Sequence, residues 1–264
     1  MARYLEIYWL MVRNSLIREM SFKANFLLWM VVEFLWFLGQ IVFIEILYGH
    51  VDSINTWGKW EVLMLFGCHQ IISQIFQAFF YINIANLPEL VRSGQLDILL
   101  SRPIDAQFSV STKQFGLDNI VNALLGVGIV SFALFKLGIV PSAVQIGLFL
   151  VAVVFGVSVH YCVMFLLASL SFWLIRAQGL IYGYFNLFNI GRYPEVVFSG
   201  AFRFIFTWCI PIILVANVPA KLFSRWNEAP LAGLATLIIA SVTLFISTRI
   251  FWLFALRRYS SASS

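Results

Sequence analysis

Ser158, His160 and Cys162 alternate along one apolar run, the densest cluster of potentially reactive side chains in the sequence. A nucleophile and a base two residues apart point to different faces of a helix, so this trio is no serine–histidine dyad and reads as packing. His69 has no second ligand at metal-binding spacing, which argues against a metal site. Cys68, Cys162 and Cys209 all sit within apolar runs, where thiols behave as small buried hydrophobes and show neither metal nor disulfide spacing. The chemistry left is electrostatic. Glu33 and Glu45 interrupt the apolar run from Ala24 to Tyr48, and an acidic group at bilayer depth costs enough to be a functional candidate. Glu45 lies close enough to the helix end to reach water, which leaves Glu33 as the sharper case. His69, Gln70, Ser73, Gln74 and Gln77 include spacings of four and seven residues, so one helical stripe can hydrogen-bond to a neighbouring helix or line a wet path.

The sequence contains no G-x-x-x-x-G-K-[ST] loop, no H-E-x-x-H, no G-x-S-x-G elbow and no paired-carboxylate arrangement. It therefore carries no nucleotide-hydrolysing motif of its own. Work done by this protein draws on an ion gradient or on a partner that hydrolyses nucleotide.

The elements that must position these residues follow from composition. Of 264 residues, 61% are hydrophobic and 11% charged, at a mean hydropathy of +0.91, against roughly 25% charged in soluble domains. This is an all-α integral membrane protein. Residues 1–23 place Leu5, Tyr8, Trp9, Val12 and Leu16 on one face, with Arg3, Glu6, Arg13 and Arg18 mostly on the other, the pattern of an interfacial amphipathic helix. The mixed charge there also argues against a cleavable signal peptide. Since about 20 apolar residues cross the hydrocarbon, helices 1 and 2 fall within 24–85 and helices 3 and 4 within 115–176. Gly126 and Gly128 in helix 3 suggest close helix packing, and helix 4 runs on towards Arg176. The aromatic, glycine-rich segment 177–203 has too many breaks for a clean span and is expected along the inner surface. Helices 5 and 6 occupy 204–256, with a kink at Pro211, and 257–264 form a short tail.

The longest polar interruption is Asn86 to Asp105 within 86–114. Asn86 and Glu89 have capping-box spacing, Pro88 is tolerable in a first turn, Gly94 suits a left-handed helix end, and Arg102-Pro103 stops further propagation. Two short helices outside the membrane result. Six spans with both ends inside leave thirteen of the seventeen Lys and Arg on inner segments, with only Lys59, Lys136, Lys221 and Arg225 outside, in strong agreement with the positive-inside rule. That topology makes the Asn86–Asp105 stretch cytoplasmic.

Two blocks, LVRSGQLDILLSRP from Leu90 to Pro103 and the run from Gly191 to Ala220 that begins GRYPEVV, resemble the ABC-2 type permease family of exporters. The match is nearest to members whose first cytoplasmic loop reads about R-x-G-x-L-D-x-x-L-x-R-P and whose second half carries R-Y-P. The resemblance implies a bacterial inner-membrane subunit with both termini cytoplasmic. It also implies a dimer with an identical or homologous permease, and two ABC ATP-binding subunits that carry ATP and Mg; the chain itself would hold no cofactor or metal and bind no nucleic acid. On that reading Glu89, Leu90, Arg92, Gly94, Leu96, Asp97, Leu99, Leu100, Arg102 and Pro103 form a coupling helix that docks on the ATPase. Arg192, Tyr193 and Pro194 form a second motif, and a re-entrant segment between helices 5 and 6 covers Asn217 to Ala229. The cargo would be an amphiphilic, drug-like, lipid or glycan molecule. The competing reading is a stand-alone secondary transporter or channel that uses Glu33 and the polar face of helix 2, although no internal repeat supports it.

Overall fold

Backbone polar groups must be satisfied within the chain when lipid surrounds it, and helices do this locally. The computed structural model describes residues 2–21, 23–174 and 177–259, and among these no strand is formed. Thirteen α-helices follow in order: α1 (Ala2–Ser21), α2 (Lys23–Tyr48), α3 (Lys59–Phe76), α4 (Ile82–Ala85), α5 (Leu87–Arg92), α6 (Leu96–Leu100), α7 (Ala106–Thr112), α8 (Leu117–Leu137), α9 (Ala143–Ser169), α10 (Gln178–Phe188), α11 (Gly200–Phe204), α12 (Ile212–Ser224) and α13 (Leu231–Arg258). Arg176 and the Ser260–Ser264 tail lie outside the described residues, as do the side chains of Arg3, Leu5 and Arg18 on the N-terminal helix.

Among the described residues five segments are long and apolar enough to cross a membrane: Leu27–Tyr48, Lys59–Arg92, Leu117–Leu137, Ala143–Phe172 and Leu231–Arg258. The second runs on through a π turn at Gln77–Tyr81. A sixth is broken. Gly200–Cys209 and Ile212–Ser224 meet at 81°, because a residue before proline is pushed out of helical geometry and Pro211 has no N–H to donate. Ile210 accordingly sits at φ −129°, ψ 82°. The sharp bend thus falls upstream of the expected re-entrant segment, most of which, Asn217 to Ser224, completes α12.

At one end of the bundle, Arg225 after α12 reaches the loop before α3, and Gln145 at the start of α9 donates to Leu222 O in α12 (3.1 Å). At the other end Asn83 and Gln114 exchange two hydrogen bonds of 2.7 Å, which tie the foot of α4 to the segment before α8. Phe115 N donates to Ser15 Oγ (3.1 Å), so α1 is anchored at that same end. The core centres on α3, packed between α8, α9 and α12. Its closest approach is glycine-made: a Cβ on Gly126 would stand 2.9 Å from Ile71 Cγ1 and 3.0 Å from Gly67 O. Gly128, by contrast, faces open space. The close packing expected of the pair belongs to Gly126 alone.

Segment 177–203 does not keep to the ends of its neighbours. Tyr184 OH and His160 Nδ1 are hydrogen-bonded at 2.8 Å, and Phe188 packs on His69 with ring centroids 4.6 Å apart. His69 lies ten residues into α3, or about 15 Å along its axis, so α10 and the turn after it enter the middle of the bundle. Further on, Glu195 pairs with Lys221 of α12, and its backbone N donates to Asn217 Oδ1 (2.9 Å).

Candidate functional site

The stretch expected to form a coupling helix takes shape from its leucines. Leu90, Leu96 and Leu99 are all buried, so the side chains expected at the centre of a docking surface instead anchor α5 and α6 to the rest of the chain. What remains outward is Arg92, Ser93, Gln95, Ile98, Arg102 and Pro103, while Glu89, Gly94, Asp97 and Leu100 are half-buried. Ile98, 60% exposed between two arginines, is an outward apolar side chain the sequence reading did not single out; the neighbouring leucines mask it, and only their burial reveals its direction. Gly94 takes φ +71°, the left-handed ending its residue type implies. The capping box does not form. Asn86 is itself right-handed helical and makes no side-chain cap, because α4 runs almost without pause into α5; Glu89 accepts two hydrogen bonds from Arg92 instead (2.8 and 3.0 Å).

Asp105, at the end of the same stretch, ties this element to two spans. Its Oδ1 accepts from Phe108 N (3.0 Å) and caps α7, and its Oδ2 accepts from Arg249 Nη2 of α13 (2.7 Å). Arg249 Nη1 donates to Gln107 Oε1 (2.9 Å), whose Nε2 donates to Tyr161 OH of α9 (2.9 Å). Partial burial pushes the Asp105 carboxyl up. The Arg249 hydrogen bond and charge, together with the Phe108 amide, outweigh that and hold it below the usual carboxylate range. This knot borders a groove of about 820 Å³ between α7, α9 and α13 whose walls are otherwise mostly apolar.

The polar stripe of helix 2 does meet Glu33. A cavity of about 280 Å³ is lined by Glu33 of α2, by His69, Gln70, Ser73, Gln74 and Gln77, and by Asn186, Asn189 and Arg192 from the α10 region. Gln74 Nε2 donates to Glu33 Oε2 (3.4 Å) and Gln77 Nε2 to Ser73 Oγ (3.2 Å). Arg192 Nε donates to Asn189 O (3.0 Å). Residues singled out for two unrelated reasons, the stripe and the second motif, thus share one chamber, whereas Tyr193 and Pro194 lie past it and the Tyr193 carbonyl accepts from Asn217 Nδ2 (3.2 Å). A second cavity of about 340 Å³ adjoins it, shares Glu33 and Gln77, and adds Asp118 and Asn119 at the start of α8, which the sequence reading did not single out. The Ser158–His160–Cys162 trio forms no dyad: Ser158 Oγ lies 4.0 Å from Cys162 Sγ, at the limit of a sulfur hydrogen bond, while His160 is fully buried against Tyr184. Among the described residues no group of three or more His, Cys, Asp or Glu could hold a metal ion.

A family model described as ABC-2 family transporter protein matches residues 34–263, nearly the whole chain. This protein belongs to the ABC-2 transporter family. A comparison with curated proteins found no match. Membership makes the chain a multipass membrane permease component of an ABC transporter, a transport part and not itself a catalyst, in a family that usually works with an ATP-binding subunit. The match spans α5, α6, the Asp105–Arg249 knot and most of the lining of both cavities, and it leaves out α1 and the start of α2, with Trp29 and Glu33.

Proposed function

We propose that this ABC-2 protein is the membrane-spanning subunit of an exporter. Two permeases, identical or homologous, would be driven by two ATP-binding subunits that carry the ATP and Mg. Both termini and the Asn86–Gln114 loop face the cytoplasm of a bacterial cell. The observation that carries the reading is the make-up of α5 and α6: their leucines are locked into the bundle, and a small charged face around Ile98 is left uncovered. A rigid element with an apolar centre and an arginine rim suits protein docking. Its continuation through Asp105 to Arg249 supports transmission of ATPase motion into α13 and α9. Cargo, an amphiphilic, drug-like, lipid or glycan molecule, would pass along the Glu33–Arg192 chamber. We read the subdivisions 1–23, 24–85, 86–114, 115–176, 177–203, 204–256 and 257–264 as parts of one permease domain, in which Phe185, Asn186, Asn189 and Arg192 of the cytoplasmic-side segment contribute to the wall of that chamber.

Purification of the tagged chain from its native membranes tests the reading. ATP hydrolysis co-purifies with the wild-type protein and is lost from an Arg92→Glu, Ile98→Asp double variant that melts at the wild-type temperature. If hydrolysis still co-purifies with that variant, the docking face is wrong. Transport by a solitary chain would favour the stand-alone reading built on Glu33.

A further inference from the structure

The second cavity on the polar path has a chemistry of its own. The cavity of about 340 Å³ is walled by three aromatic rings, Trp29, Tyr81 and Phe115, and receives two carboxylates from different helices, Glu33 and Asp118. Among the described residues no lysine, arginine or histidine lines it. The two carboxylates are near enough for Asp118 to act electrostatically on Glu33, and among the described residues no ion pair reaches either of them. Gln74 of the adjoining chamber donates its amide nitrogen to Glu33 Oε2 (3.4 Å), a neutral hydrogen bond that supplies no countercharge. Two carboxylates with no cationic partner among the described residues suit positive charge, and aromatic faces attract cations most where water is scarce. A hydrated metal ion would use the oxygens and leave the rings idle. Arg192 at the far end of the neighbouring chamber repels such a guest and confines it to the Glu33–Asp118 end.

We infer that this cavity binds a lipophilic organic cation, such as a quaternary ammonium bearing an aromatic or alkyl group, held between Glu33 and Asp118 against Trp29, Tyr81 and Phe115. The inference rests on the exporter reading and names the class of its cargo. The full chain in phosphatidylcholine nanodiscs is titrated calorimetrically with benzyltrimethylammonium and, separately, with benzylsulfonate, a probe of similar size and opposite charge; empty nanodiscs supply the blank. Saturable binding of the cation alone is expected. It should weaken about tenfold or more in Glu33→Gln and in Asp118→Asn, because each removes a charge from a partly desolvated pair of carboxylates. Tyr81→Phe keeps the affinity and Tyr81→Leu lowers it severalfold, a contrast that a purely structural role for the ring would not produce. Equal binding of the two probes, or unchanged affinity in a Glu33→Gln, Asp118→Asn protein that melts normally, overturns the proposal. Co-purifying ATP hydrolysis is measured on the same variants. If hydrolysis persists while cation binding is absent from the wild type, the cargo class fails and the exporter reading stands; if hydrolysis is absent from the wild type, the exporter reading fails by itself.

Discussion

The Asp105–Arg249 knot allows a quantitative test of how the α5–α7 stretch is held. Asp105→Ala removes two things: the cap on α7, worth about 1 kcal/mol, and a charge-assisted pair with Arg249. The two side chains of that pair are 34% and 39% exposed, so solvent screening brings it down to about 1 kcal/mol. The total near 2 kcal/mol corresponds to a fall in melting temperature of about 4–8 °C, at about 2–4 °C per kcal/mol for a chain of this size. Asp105→Asn keeps an oxygen for the Phe108 amide and loses only the charge, and should fall by about half as much. Circular dichroism at 222 nm on the purified chain in detergent reads both. A double cycle with Arg249→Met should return a coupling energy of about 1 kcal/mol. The pH dependence follows from the depressed carboxyl: its stabilisation is fully present above the unfolded value of about 3.9 and is lost as pH falls through the lower folded value. The wild type and Asp105→Asn therefore differ from pH 7 down to about pH 5 and converge only in stronger acid. The reasoning is refuted if Asp105→Asn melts as low as Asp105→Ala, or if Arg249→Met costs the same whether or not Asp105 is present.

Two further perturbations probe the bundle. Gly126→Ala forces a methyl group into Ile71 and the Gly67 backbone and should cost about 1–3 kcal/mol, while Gly128→Ala, facing open space, should leave the melting temperature within about 1 °C or raise it; equal losses in both would exclude the glycine-made α3–α8 contact. Arg225 donates to both Glu61 oxygens (3.1 Å each) and to Thr56 O (2.7 Å), lies over the Trp57 ring at 4.7 Å and is 11% exposed. Arg225→Met strands the Glu61 carboxylate and should destabilise by about 3–5 kcal/mol, and Arg225→Lys, which lacks the bidentate fork, should recover less than half of that in the same melting assay.

Much of the scaffold was legible because lipid imposes a simple rule: spans must be long, apolar and helical. Leu117–Leu137 and the Pro211 break followed directly from composition and proline chemistry. Segment 177–203 was less legible. Its glycines, aromatics and Arg192 look interfacial when lipid is taken as the only apolar solvent, and composition alone does not show that Tyr184 and Phe188 pack on His160 and His69, where irregular backbone is tolerated because protein encloses it. The capping box failed because a local pattern cannot foresee that the preceding helix holds Asn86 in helical geometry. Leu96 and Ile98 differ little as side chains; only packing sent one inward and left the other 60% exposed.

The sequence by itself determined that this chain lives in a bilayer, that it lacks any nucleotide-hydrolysing motif, and that Glu33 and the stripe from His69 to Gln77 had to be accounted for. Hydropathy and the cost of buried charge are properties of residues, and they survive without coordinates. Which charges meet was decided by the tertiary structure. Glu33 and Asp118 stand 85 positions apart in the chain, as Asp105 and Arg249 stand 144 apart, and such pairings depend on how the helices rotate about their axes when small residues such as Gly67 and Gly126 let them approach.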